Sequence, residues 1–357
     1  MSGRLDLRRG VVVSESPLVV EIDGERRPAW ADEILLGPMR EGDEVVVNAA
    51  ALDLGLGSGG FDVVHVNLTR GLGAAAEGGI HVMELNYTSL QHPVDPVEAK
   101  VDVEKPLDSN GNSTRTSLTG GSARLVPVAV LPLHGHLAPA AWAAAQARPG
   151  IRVGYVQTAG GALPGSLSRD VAELRGHGLL RGHITAAPSY GGEHDALSTV
   201  GALDAAARAL DWDAILIGPG PGIIGSDTEY GHGGMAALDN AHASLSLGLP
   251  TIVSPRLSSG DRRARHHGLS HHTATVLRLL LAPVTVAIPA GADEASSQIQ
   301  AASPDRHRLE HVPVDLDAYA ASGLPTRTMG RRLRDDPLFF EAPLATGAFV
   351  ASPRYGN

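Results

Sequence analysis

From Arg124 onward, short apolar runs alternate with helix-length stretches, and this alternation constrains the fold more than any other feature of the chain. Residues 126–133, 152–157, 183–187, 213–218, 251–254 and 284–288 read as strands, with 311–314 as a further candidate. Residues 138–147, 168–175, 198–210, 234–247 and 270–281 read as the helices between them. Repeated βα units on short connections require a mainly parallel sheet with helices on both faces. The run Ala214-Ile215-Leu216-Ile217 is apolar throughout, as burial on both faces demands. The fold class expected is therefore α/β, with a Rossmann-like domain over residues 124–320.

Residues 1–100 have a different rhythm. Val11-Val12-Val13, the runs 18–22, 44–47 and 62–66, and the alternating stretch 81–87 are short, β-branched and bounded by Gly, Pro and Asp. They predict a smaller β-rich domain, a barrel or a sandwich, with a hairpin turn at Asp23-Gly24 and a further turn at 57–60. Residues 101–123, which include Asp108-Ser109-Asn110-Gly111-Asn112, read as a linker or exposed loop. Residues 321–357 read as a C-terminal extension with a helix over 337–350. With 4% aromatic residues, the core must rest on Ala, Val, Leu and Ile.

Composition bears on partners. A net charge of −10 argues against a general nucleic-acid or acidic-membrane binder. The absence of cysteine removes disulfides, thiolate metal sites and cysteine nucleophiles. No secretory leader is visible in residues 1–10, and the apolar run 276–290 is interrupted by Arg278 and Pro283. The expectation is a cytoplasmic protein without a membrane span, with a homo-oligomer open.

Ligands of open α/β sheets bind outside the carboxyl ends of the strands, so the loops there carry the functional reading. After the first strand comes His134-Gly135-His136. After the fourth, the loop 218–232 contains a literal G-x-G-x-x-G, at Gly220, Gly222 and Gly225, followed by Asp227, Glu229 and His232. The dinucleotide fingerprint opens a helix directly, whereas 226–233 intervenes here, and Arg256 rather than an acidic residue follows the next strand. A phosphate on these backbone N–H groups remains open. After the fifth strand, Arg262-Arg263-Ala264-Arg265-His266-His267-Gly268-Leu269-Ser270-His271-His272 holds four of the sixteen histidines.

That cluster admits three readings. His267 and His271, four apart, have a spacing that binds a divalent metal on a helix, but Gly268 places the helix start near Ser270, a natural N-cap. A helix N-terminus beside Arg256, Arg262 and Arg265 suits a phosphate or carboxylate. The third reading is a structural hydrogen-bonded network. The expected ligand-binding set is Gly220, Gly222, Gly225, Arg256, Arg262, His266 and Ser270. His232, Asp227 and His271 are the candidates for proton chemistry. No metal ligands are singled out, and no cofactor is specified. A small anionic or nucleotide-type ligand at the sheet edge is expected. Between an enzyme using His and Asp acid–base chemistry and a non-catalytic binding or regulatory protein the sequence does not choose, and a divalent-metal-dependent hydrolase is a further alternative.

Four segments, 54–60, 178–185, 218–225 and 265–273, resemble a bacterial family known as domain of unknown function thirty-eight sixty-six. The resemblance runs from the β-rich half to about Pro289. It implies that the two halves belong together and carries no catalytic role.

Overall fold

A computed structural model describes residues 4–56, 59–73, 82–101 and 125–355. The expected turn at 57–60 lies partly, and the linker 101–123 almost wholly, outside the described residues. The chain divides into two compact units, residues 1–80 and 81–357.

The first unit is a closed five-stranded barrel in the order β1-β2-β3-β5-β4. Its strands are β1 (Leu7–Glu15), β2 (Leu18–Ile22), β3 (Glu25–Trp30), β4 (Glu44–Asn48) and β5 (Asp62–Asn67). Alternation places Val12, Val20, Ile22, Val45, Val47 and Val64 in its core. Asp23 and Gly24, both at positive φ, form the expected hairpin turn. A parallel pairing of β3 with β5 closes the barrel. Between β3 and β4 lies α1 (Glu33–Leu36), capped by Asp32, and between β4 and β5 lies α2 (Ala50–Asp53). Arg27 crosses to Asp62 in a bidentate pair at 2.6 and 3.1 Å and reaches Asp53 at 2.6 Å.

The second unit opens with a hairpin, β6 (Val82–Glu84) and β7 (His92–Val94), so the alternating stretch expected to end the β-rich half belongs here. Eight parallel strands follow. They are β8 (Val128–Val130), β9 (Val153–Thr158), β10 (Gly182–Ala186), β11 (His194–Ala196), β12 (Ala214–Pro219), β13 (Thr251–Val253), β16 (Thr285–Pro289) and β17 (Arg308–Val312). A short antiparallel pair, β14 (Leu257–Ser258) and β15 (Gly268–Leu269), lies between β13 and β16. The sheet order is β11-β10-β9-β12-β8-β13-β16-β17. The seven expected strands are all present, and β11 adds an edge inside what the sequence presents as a polar loop.

Side chains alternate across this sheet and build two cores. Val128, Val130, Ile215, Ile217, Val253, Val286 and Ile288 face α5 (Thr199–Arg208), α6 (Ala236–Ser246), α7 (His271–Leu279) and α8 (Asp293–Ala302). Ala129, Leu131, Tyr155, Leu216, Ile252 and Ala287 face α3 (Leu137–Ala147), α4 (Arg169–Gly176), α9 (Leu316–Ala320) and α10 (Pro337–Val350). The alanine-rich α3 presents little side-chain bulk, and α10 packs along it. Residues 321–357, expected as an extension, therefore supply core: Phe339, Phe340, Leu344 and Val350 are buried. A hairpin of β18 (Arg327–Thr328) and β19 (Arg331–Arg332) precedes α10. Among the described residues, no helix is long and apolar enough to cross a membrane.

One consequence of the strand order positions the site. The chain leaves β8 into α3 on one face. It leaves the two neighbours of β8, β12 and β13, into α6 and α7 on the other. Loops that diverge from adjacent strands to opposite faces open a crevice at the carboxyl edge.

Candidate functional site

A cleft of about 390 Å³ occupies that crevice. The loop after β8 contributes Leu133, His134 and Gly135. The loop after β12 contributes residues 221–225, Asp227, Thr228 and His232. The segment from β13 to α7 contributes Arg256, Arg263, Arg265, His266, His271 and His272. Thr328 and Met329 of the β18–β19 hairpin and Phe339 of α10 complete the wall.

Local sequence explains why the histidines converge. Ser270 caps α7, its hydroxyl accepting from the His272 N–H, so the helix begins at His271. His267 therefore stands outside the helix and is exposed, and the four-residue spacing of His267 and His271 makes no helical pair. Gly268 lies at φ +66, and a Cβ there would meet the Gln298 carboxamide oxygen at 2.6 Å. That backbone turns the chain so that Leu269 pairs with Leu257 in the β14–β15 ladder. His266 Nδ1 sits 2.7 Å from the Ser270 hydroxyl. Across the cleft, a backbone bridge between Gly225 and His232 folds the loop after β12 back on itself.

The result is a compact group of four rings. His232 stacks on His272 with centroids 3.5 Å apart and planes 9° from parallel. His271 meets His272 edge-on at 4.4 Å, and His266 lies 4.9 Å from each of the pair. Four imidazolium rings at these distances would repel one another strongly, and burial first of all holds them neutral. Desolvation, reinforced by Arg256, drives His266 down to about 3. Desolvation, then His232 and Arg256, drives His272 to about 2. His232 and His271 are lowered by the same burial.

Arg256 is the charge at the centre of the site. It is 4% exposed, donates to His272 Nδ1 at 3.2 Å and leaves its Nε without a partner. Its nearest carboxylate, Asp261, is 3.7 Å away and already bidentate with Arg263 at 3.0 and 2.8 Å. Burial lowers the Arg256 guanidinium to about 10, so it stays charged at neutral pH. Asp261 is held well below the usual carboxylate range, chiefly by its hydrogen bonds with Arg263. Beneath the site, Asp336 is fully buried. It accepts from the Ser258 hydroxyl at 2.7 Å, Ser259 N at 2.8 Å, Gly260 N at 3.1 Å and Arg331 Nε at 2.9 Å.

The residues singled out from the sequence are distributed as follows. Gly222, Gly225, Asp227, His232, Arg256, His266 and His271 line the cleft. Ser270 is buried behind it as the helix cap, and Gly220 lies against the Ala162 carbonyl and the Gln157 amide. Arg262 is exposed, and the lining arginines of that segment are Arg263 and Arg265. Asp227 is at the rim, its side chain 79% exposed and paired with Arg265. His136, in the other candidate loop, is fully buried beneath the cleft, with Nδ1 3.0 Å from the Ser254 hydroxyl and Nε2 unpartnered. His134 Nε2 is 2.7 Å from the Ser168 hydroxyl. The second ring at the helix start, His272, lies in the same sequence cluster, where no local signal sets it apart from the exposed His267. Met329 and Phe339 carried no local signal, because they reach the cleft only through the packing of the tail.

No curated protein and no solved structure matches this chain. A family model described as protein of unknown function, DUF3866, matches residues 29–347, and the chain belongs to that family.

Proposed function

We propose that the cleft binds a small anionic molecule bearing a phosphate or carboxylate, at the carboxyl edge of a Rossmann-like domain. The observation that carries this reading is Arg256, a buried guanidinium with an unpartnered Nε in the cleft wall. A buried cation is costly unless it is paired and hydrogen-bonded. The carboxylate it pairs with, Asp261, is shared with Arg263 and Arg331. An anion entering the cleft would complete the pairing, and charge-assisted bonds to guanidinium groups are among the stronger ones available. Gly222 and Gly225 bring backbone close to the same space.

An enzymatic role follows from the imidazoles. His232 Nδ1 and His271 Nε2 are buried without partners and lie on neutral rings beside the proposed ligand. Each can accept a proton from a bound molecule, which is the requirement for a general base. Asp227 at the rim is engaged by Arg265, so proton chemistry is assigned to the histidines first.

A thermal-shift titration tests the binding. Inorganic phosphate, pyrophosphate and nucleoside phosphates are added to the full chain freed of metal with a chelator. A ligand at about 100 times its dissociation constant stabilises by about 2.7 kcal/mol, so at least one should raise the melting temperature in a saturable way. Arg256→Lys should weaken that response, because Lys lacks the planar fork. Absence of any saturable shift, or an unchanged one in Arg256→Lys, contradicts the reading.

A further inference from the structure

The same cleft holds a feature that anion binding does not itself require: three neighbouring imidazoles, two of them with a buried, unpartnered ring nitrogen. We propose that His232, His271 and His272 form a binding site for a divalent cation of the zinc class. This deepens the anion reading and rests on it, since the cation adds positive charge opposite the same ligand.

The geometry carries the proposal. One ligand nitrogen from each of the three histidines can be chosen so that all lie within 4.8 Å of one another. Two of these rings come from adjacent residues at the start of α7, and the third from the loop after β12, so the site ties together two elements distant in sequence. The tautomer of His232 follows from its neighbour. Its Nε2 lies 3.1 Å from the Glu229 carbonyl oxygen, which can only accept, so Nε2 carries the proton and Nδ1 carries the lone pair. That Nδ1 is buried and unpartnered on a residue only 8% exposed; Nε2 of His271 is likewise buried and unpartnered, on a half-buried residue. A ring nitrogen oriented by a backbone carbonyl through its opposite N–H is the usual support of a metal-binding imidazole.

Space is available as well. A Cβ on Gly234 would sit 3.1 Å from Nδ1 of both His232 and His272, so only a glycine leaves that approach open. At His272 the lone pair of Nδ1 already faces a positive group, the Arg256 guanidinium. A cation using that nitrogen takes the place of the guanidinium there. Arg256 is then released toward the cleft, where the anion is expected. Three neutral nitrogen donors with a remaining position open to a cleft match the coordination of catalytic zinc sites rather than of closed structural ones. Imidazole-only ligation favours zinc, cobalt or nickel over magnesium or calcium, which take oxygen. In the loaded state the lone pairs of His232 and His271 serve as donor atoms, and the chemistry of the cleft passes to the cation's open position.

The test uses the full chain, stripped with a chelator and titrated with cobalt(II), whose visible absorption reports tetrahedral nitrogen ligation, and with zinc(II) by calorimetry. The expected result is one equivalent per chain, with absorption characteristic of a four-coordinate site. His271→Ala and His232→Gln should each weaken cobalt binding by at least about 10-fold, since loss of an outer-shell partner alone weakens metal sites by that much. His267→Ala, which removes an exposed ring of the same segment, should leave it unchanged. Far-UV circular dichroism confirms that each variant is folded, and His271 is the more permissive position because it is only half-buried. Absence of stoichiometric cobalt or zinc binding overturns the proposal. So does binding that persists at full strength in both folded variants. Phosphate titration in the chelated protein, described above, reads the anion site separately, so failure of one is not failure of the other.

Discussion

Replacing Asp336 by alanine should loosen the floor of the cleft. The carboxylate is fully buried and accepts five hydrogen bonds, from the hydroxyls of Ser258 and Ser259, two successive backbone N–H groups and Arg331. It thereby ties the start of α10 to the 258–261 turn, which carries Asp261 beneath Arg256. Hydrogen bonds to a charged acceptor are worth about 1.5–3 kcal/mol each, but they share one group and do not add. After truncation, Arg331 keeps only Asp261 at 3.6 Å, and the two backbone donors lose their acceptor. Removal of one partner from a buried charged network costs about 3–5 kcal/mol, and that range applies here. The assay is urea unfolding followed by fluorescence in a Trp30→Phe background, which leaves Trp142 and Trp212 as reporters of the α/β unit. At a slope of about 2–3 kcal/mol/M, the midpoint should fall by about 1–2.5 M. Asp336→Asn, which keeps two acceptor sites on oxygen but no charge, should fall between the two. A loss below about 1 kcal/mol for Asp336→Ala would mean that these hydrogen bonds do not hold the floor together.

Acid should destabilise the α/β unit through its buried imidazoles. His136, facing Arg256, and His183, facing His134 and Arg175, are held at about 3 by burial, against an unfolded value near 6.5. Below pH 6.5 the unfolded chain takes up protons that the native state refuses. Stability therefore falls as pH drops from about 6.5 to 3, by about 2 kcal/mol per imidazole at pH 5 relative to pH above 7. His183→Gln should flatten the melting temperature profile in that window, and an unchanged slope would contradict the burial argument. In the barrel, Asp62→Ala removes the bidentate partner of the buried Arg27, which keeps Asp53 at 2.6 Å, and should cost about 1.5–3 kcal/mol, read as a lowered midpoint of the barrel's transition in urea. Gly268→Ala imposes positive φ on a residue with Cβ and pushes it against Gln298. It should cost about 1–3 kcal/mol and weaken phosphate binding, as measured by melting and titration together.

The parallel sheet was legible because its strands are apolar on both faces and its helices are amphipathic, so β8, β9, β12, β13 and β16 all stand where the apolar runs are. The carboxyl-edge location followed from chain direction alone, and seven of the ten expected site residues line the cleft. Other features had no local signal. Residues 194–196 read as a polar loop, yet they pair as an edge strand because β10 offers an open ladder to them. Arg262 and Arg263 are indistinguishable in sequence, and only the turn at Asp261 sends the second one to the carboxylate and the cleft. The expected helix over 337–350 was visible, but not that it would lie on α3 and bring Phe339 to the ligand space. The stacking of His232 on His272 joins residues forty apart, and no spacing rule within either loop reports it.

Anion binding among these histidines is open to direct observation by nitrogen-15 NMR of the histidine side chains in the chelated full chain, titrated with inorganic phosphate and pyrophosphate. The ring signals of His266, His271 and His272 should shift saturably, and those of His242 and His307, outside the cleft lining, should not move. Shifts absent from the cleft rings, or confined to exposed histidines such as His267, would contradict anion binding there.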